Sequence, residues 1–224
     1  MIWIIFIGFA LISWLIGHQL KKRFEEYSQI PTANGMSGKE VVEKMLRDHN
    51  IYGIRIESVE GQLTDHYNPA DKTINLSEDV YYGKHIAAAA VAAHETGHAV
   101  QHALAYSWLG MRSALVPAVS FSSKYIQWIL LGGILLINSF PALLLFGIFM
   151  FAMTTIFSFI TLPVEINASN RALVWLRTSG ITTTQTHEKA EDALRWAGYT
   201  YVVAALSSLA TLLYYVSIYM GRRD

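Results

Sequence analysis

Three stretches of the chain run long enough without Asp, Glu, Lys or Arg to cross a bilayer: residues 1–20, 125–164 and 196–221. A helical crossing takes roughly 20 apolar residues, so the first and last stretches predict one span each. The middle stretch is twice that length, and Asn138-Ser139-Phe140-Pro141 puts turn chemistry near its centre. It predicts a helical hairpin that returns the chain to the face it left. Lys21-Lys22-Arg23 closes the first stretch, and Arg222-Arg223 follows the last. The first stretch has no basic leader and no small-residue cleavage site, which predicts a retained anchor.

Between the anchor and the hairpin the pattern is that of a small folded domain. Residues 37–49 are amphipathic at helical spacing, opened by Ser37 with Glu40 at capping-box distance. Residues 54–59 alternate as a half-buried strand does. Asp65-His66-Tyr67, a turn over residues 68–71 and Thr73-Ile74-Asn75-Leu76 predict a β-hairpin. Ser77 is placed to cap a short helix. An alanine-rich run, Ile86 to Ala93, then opens a longer helix with no evident break between Ala99 and Ala105. The predicted fold is mainly α: four transmembrane helices plus a small α+β domain. The segments are an anchor (1–20), the α+β domain (21–124), a transmembrane hairpin (125–164), a helical segment (165–195), and a last transmembrane helix with its tail (196–224).

The chemistry is concentrated at His94-Glu95-Thr96-Gly97-His98. Two histidines four apart lie on one helix face, about 6 Å apart along the axis, so both imidazoles can reach one Zn²⁺. Glu95 projects to the side, where it can serve as the general base that takes a proton from a water. A third protein ligand is needed, and a catalytic site leaves the fourth position to water. His102 is about 12 Å further along the helix and predicts a structural or rim role. His85 reads the same way, and His18, His49, His66 and His187 have no ligand spacing. Glu165 is the better candidate. It is the first charge after the hairpin, and the hairpin brings it back to the face that carries His94 and His98. A carboxylate that merely ends a membrane helix is the plainer alternative. If Glu165 is not the ligand, Glu78, Asp79 and Glu188 are next in line.

Composition narrows the reading. Hydrophobic residues make up 53% and charged residues 15% of the chain, greasier than an ordinary soluble domain. Net charge is zero, which leaves no nucleic-acid footprint. There is no cysteine, so disulfides and thiolate ligands are excluded. Lysines and arginines crowd the face that carries His94, from Lys21, Lys22 and Arg23 to Arg112, Lys124, Arg171, Arg177, Lys189 and Arg195. The positive-inside rule then turns that face to the cytoplasm, with Arg222 and Arg223 dissenting.

Several motifs together resemble the YugP-like bacterial membrane zinc metallopeptidases: His66-Tyr67-Asn68-Pro69, Ile74-Asn75-Leu76-Ser77-Glu78, Val91 through Gln101, Arg112, Val116-Pro117, and Thr161 through Ala172. The resemblance covers nearly the whole chain. It implies a gluzincin site with His94, His98 and Glu165 on one zinc ion and Glu95 as the general base. It implies a zincin-like fold for the α+β domain in a multi-pass protein of the bacterial cell membrane, and the place of Glu165 at a membrane exit predicts cleavage of peptide or membrane-protein substrates at the bilayer surface. More remotely, the chain resembles membrane metallopeptidases that carry Glu-x-x-x-Asp after the second membrane segment. Here Ser169 stands at the aspartate position, leaving Ser169 or Asn170 to orient a zinc histidine. For the group facing the substrate oxygen, Arg171, Tyr199 and His187 are the candidates. The alternative function is a non-catalytic zinc-binding scaffold or sensor in the membrane, against which the intact Glu95 speaks. An intramembrane protease is disfavoured because Lys84 and His85 interrupt the apolar run before the pentad. A transporter would carry ionisable groups within its spans, and these hold little beyond His18.

Overall fold

The computed structural model describes residues 2–221, with side chains from residue 5. Seven helices and one three-stranded sheet follow in the order α1 (Ile2–Tyr27), α2 (Gly38–Asp48), β1 (Arg55–Val59), β2 (His66–Asn68), β3 (Thr73–Ser77), α3 (Glu78–Tyr81), α4 (Ile86–Ala103), α5 (Ser107–Leu135), α6 (Pro141–Thr178) and α7 (Thr184–Gly221).

Helix α4 is the axis of the domain. From Ile86 to Gln101 every residue except Val91 is buried, and the alanines leave room for neighbours to approach from several sides. Helix α2 lays Val41, Val42, Met45 and Leu46 into the core that α4 shares. Its start is fixed by a complete capping box: Ser37 N–H donates to Glu40 Oε2 at 2.7 Å, and Glu40 N–H donates to Ser37 Oγ at 3.4 Å. The sheet order is β1-β3-β2, with β1 parallel and β2 antiparallel to the buried central strand β3. The expected hairpin is therefore β2–β3, and β2 is the edge strand beside α4.

Two local expectations are corrected. Ser77 precedes α3 but makes no side-chain cap. Its N–H and hydroxyl bind Asp65 Oδ1 instead, at 2.8 and 3.1 Å. Helix α4 also ends at Ala103, where the sequence showed no break. Tyr106 N–H closes back on Gln101 C=O at 2.9 Å, and Ala105 takes φ +48°. That is a Schellman-type stop with alanine where glycine is usual, so no residue signal announced it.

Three helices among the described residues are long and apolar enough to cross a membrane: Ser107–Leu135, Pro141–Thr178 and Thr184–Gly221. The hydropathy pattern predicts four. The difference is α1, whose apolar N-terminal tip falls on residues 1–4, outside the described side chains. What remains of α1 runs as one helix through Lys21-Lys22-Arg23 to Tyr27. The hairpin turn falls where expected, between Leu135 and Pro141. The helices themselves overrun the apolar stretches. Helix α5 starts at Ser107 and α7 at Thr184, because charge marks where a helix leaves lipid and not where it ends.

Helix α6 shows the consequence. Glu165 stands 24 residues after Pro141, about 36 Å along a straight helix, just beyond a hydrocarbon core of about 30 Å. The same helix then continues to Thr178 and buries Ala172, Trp175 and Leu176 in the domain core. One helix, with Pro163 two residues before Glu165, thus carries that carboxylate from the apolar run to α4.

Candidate metal centre

Glu165 Oε2 lies 3.3 Å from His94 Nε2 and 3.5 Å from His98 Nε2. Donors about 2.1 Å from a tetrahedral zinc stand about 3.4 Å apart, so these separations are those of a shared ion. The three ligand atoms lie within 4.8 Å of one another, and no other group of three His, Cys, Asp or Glu does so among the described residues. Glu165 is 3% exposed, and its Oε2 has no hydrogen-bond partner. A buried carboxylate oxygen without a partner, facing two imidazole nitrogens, fits a cation bound between them.

The far side of each imidazole is held. His98 Nδ1 is 3.0 Å from Gln101 Oε1. Gln101 Nε2 donates to Val164 C=O at 2.8 Å and to Asn167 Oδ1 at 3.0 Å. Arg171 Nε donates to the same Asn167 oxygen at 2.7 Å. With its amide nitrogen committed to two acceptors, Gln101 must present oxygen to His98. His98 then carries its proton on Nδ1 and leaves Nε2 free as a ligand. His94 Nδ1 meets Ser169 Oγ at 3.0 Å. Ser169, one turn after Glu165 on α6, thus occupies the orienting position that the sequence left between Ser169 and Asn170. Burial alone depresses the His98 imidazole; the Glu165 carboxylate, with Glu95 adding, outweighs it and raises His98 above its ordinary value.

The α4–α6 seam sets this geometry. A Cβ at Gly97 would lie 2.7 Å from Ala168 C=O, so only glycine lets α6 approach α4 this closely. Gly97 falls between the two histidines, and Ala168 between Glu165 and Ser169.

Glu95 is 8% exposed, and its Oε2 accepts the backbone N–H of Tyr67 at 3.0 Å. That N–H faces away from β3, so the outer edge of β2 borders the site. The cleft in front of Glu95, His98 and Glu165 has a volume of about 440 Å³ and is also lined by Asp65, Arg112 and Tyr201. Arg112 Nη1 lies 3.2 Å from Glu165 Oε1. Burial pushes the Asp65 carboxyl up, opposed by its hydrogen bonds from Ser77 and helped by Glu95.

The remaining sequence candidates lie elsewhere. His102 Nδ1 pairs with the Tyr67 hydroxyl at 2.8 Å on the exposed end of α4. His85 caps the start of α4, its Nδ1 accepting Ala88 N–H at 3.1 Å. Of the proposed substrate-facing groups, Arg171 is bound to Asn167, His187 is buried against Thr182, and Tyr199 packs on Trp196. Arg112 and Tyr201 line the cleft in their place. Gln101 is missed by the sequence reading, although its place one turn after His98 was the available signal; Tyr201 and the Tyr67 N–H carried no sequence signal.

The family described as "Putative neutral zinc metallopeptidase" matches residues 2–220. The chain is 39% identical over 215 residues to the "Putative membrane protease YugP" of Bacillus subtilis, covering 95% of this chain and 94% of that one. No solved structure matches the chain.

Proposed function

The chain belongs to this zinc metallopeptidase family, and from that membership we propose that it is a zinc-dependent endopeptidase that cuts peptide bonds at the membrane surface. The supporting observation is the convergence of His94, His98 and Glu165 beside a separately held Glu95. These three residues would hold the zinc ion, which when bound would polarise the scissile carbonyl and acidify a water. Glu95 takes the proton of the attacking water and delivers it to the leaving amine. The Tyr67 N–H holds one carboxylate oxygen and leaves the other to move that proton. Arg112 and Tyr201 face the developing negative charge on the carbonyl oxygen, a role in which a fixed donor is worth about 10²–10³ in rate. The substrate chain lies along β2, with the Tyr67 N–H already engaged by Glu95.

The membrane reading adds α1 as a fourth crossing and turns the catalytic face to the cytoplasm, supported by the basic residues on that face. The YugP relative is itself named a membrane protease. Cysteines placed at Asp65 and Asn170 should stay shielded from impermeant thiol reagents in intact cells, while one at Ser139 labels. The chain's lack of cysteine makes the background clean.

The direct test compares wild type with Glu95→Gln on casein, with zinc measured in both. Cleavage by wild type and none by a variant that retains zinc supports the protease. Equal zinc and no cleavage by either would favour the scaffold reading.

A further inference from the structure

Helix α5 has two unlike faces. Ser122, Leu130 and Gly133 are buried, and Leu130 packs with Leu144 and Ile148 of α6. The opposite face carries Ser113, Pro117, Ser120, Lys124 and Gln127, all exposed. Their spacing of four, three, four and three residues sets them in one stripe, about 80° wide. Pro117 adds to its polarity, because it brings no N–H to the Ser113 carbonyl. The stripe begins at the catalytic cleft, which Ser113 lines, and runs from there along the apolar part of the helix.

Lys124 is the anomaly in that stripe. A Cβ at Gly133 would lie 2.6 Å from Leu144 Cα, and one at Gly147 would lie 2.8 Å from a Leu130 methyl group. Arg112 meets Glu165 at 3.2 Å. Helices α5 and α6 therefore run antiparallel and level with each other from end to end. Lys124 stands 12 residues after Arg112 and 11 before Leu135, about 18 and 16 Å along the axis. A hydrocarbon core of about 30 Å, reaching from the α5–α6 turn to just short of Glu165, puts its Cα near mid-membrane. The charge pattern set Lys124 at the membrane surface; the overrun of α5 past the apolar stretch draws it inward.

An ammonium at that depth is costly and calls for a partner. The chain's own crossings offer no carboxylate: there is no Asp or Glu between Glu95 and Glu165, in residues 1–20 or in residues 196–221. A second copy has the same lack, and a two-fold pair would set Lys124 against Lys124. Ser120 and Gln127, beside it on the stripe, are of the kind that bond across helices in lipid. We propose that the stripe is the docking surface for a transmembrane helix of another protein, one with a carboxylate near mid-membrane. That helix, lying on α5, brings the chain that follows it to Ser113 and so to the cleft. The inference rests on the membrane reading of α5 and, for the docked helix as a substrate, on the peptidase reading.

Association in vesicles tests this without needing turnover. The Glu95→Gln protein, carrying a dye on Ser139→Cys in the α5–α6 turn, is reconstituted in phosphatidylcholine. Labelled leucine–alanine helices of about 20 residues, identical but for Glu, Gln or Leu at the midpoint, are added, and energy transfer is read. The Glu helix should associate about fivefold or more tightly than the Leu helix, the scale of one polar contact between helices in lipid. Lys124→Leu should remove that preference and Lys124→Arg keep it. Lys124→Leu makes the crossing more apolar, so insertion is not at risk. Equal association of the Glu and Leu helices when Lys124 is present, or a preference that survives Lys124→Leu, overturns the docking surface. Energy transfer between two labelled copies that Lys124→Leu abolishes marks self-association and overturns it too. Labelling of Lys124→Cys by an impermeant thiol reagent would take α5 out of the membrane and the proposal with it. The peptidase reading fails separately: a preference for the Glu helix together with no cleavage of casein by wild type keeps the docking surface in a protein that is not a protease.

Discussion

Helix α4 meets two very different neighbours. Towards α6 the contact is closed: Gly97 admits Ala168 with no room for a methyl group, and each histidine is pinned from behind by Ser169 or Gln101. Towards α1 and α7 the contact is open, and a cavity of about 240 Å³ is kept between alanines. Both sides are made with small residues, used to opposite ends. On the closed side small residues bring backbones together, which sets Glu165 Oε2 3.3 and 3.5 Å from the two histidines. On the open side they leave a void, kept from collapse by Asp192, which links α7 to Tyr27 and Arg23 of α1. Metal ligands need the first arrangement; the second leaves space beside Glu95.

The largest effect should come from the ligands of the closed side. His94→Ala and His98→Ala are expected to lose zinc, and His102→Ala to keep it, by metal analysis of purified protein. Equal loss in all three would make His102 a ligand and break the two-histidine geometry.

Gly97→Ala should come next. Its methyl group must push α6 away, and overpacking of this kind costs about 1–3 kcal/mol. Because Glu165 and Ser169 ride on the same helix, zinc affinity is expected to fall at least tenfold. Ala197→Phe, a much bulkier change on the open side, should leave zinc affinity unchanged. If the two behaved alike, the contrast between the faces would be lost.

The supporting residues come third. Gln101→Leu should cost about 10–100-fold in zinc affinity, the usual scale for partners of metal ligands. Ser169→Ala is expected to cost less, since a lone serine holds His94 where a chain of amides holds His98. Competition with a chelator measures both.

The smallest effect lies away from both faces. Ser37→Ala removes a helix cap and should destabilise the protein by about 1 kcal/mol without touching zinc affinity. The backbone and hydroxyl of Ser37 hold the Glu40 carboxyl below its ordinary value. The stability from that bond is therefore present above the unfolded carboxylate range, near pH 4.3, and is lost as pH falls through the lower folded value. Ser37→Ala keeps the backbone N–H, the larger of the two causes, and should flatten the acid limb of a stability profile only in part.

The closed side was more legible in the sequence than the open one. His94 and His98 follow from helical spacing, and Glu165 follows from counting two crossings and a turn. Those are one-dimensional signals. The Ser37 box and the β2–β3 hairpin were legible for the same reason. The end of α4 was not, since Ala105 occupies a position where glycine is the usual sign. The true starts of α5 and α7 were hidden because charged helix continues apolar helix without a mark. Arg112 and Tyr201 meet in the cleft from two different helices, a conjunction that spacing within any one segment does not reveal. The cavity beside Glu95 is assembled from α1, α4, α7 and a loop, and nothing in the local pattern foretells a space.

The placement of Glu165 carries the most weight, because it joins a long apolar helix to the site. The decisive measurement is the zinc content of Glu165→Gln beside that of Glu95→Gln, both purified at low free zinc. The substitution at 165 keeps the shape of the side chain and removes the charge that balances the ion. Glu165→Gln is expected to come out folded, zinc-depleted and inactive on casein, and Glu95→Gln folded, zinc-replete and inactive. A Glu165→Gln protein that holds one zinc per chain and cuts casein as wild type does would contradict the metal centre described above.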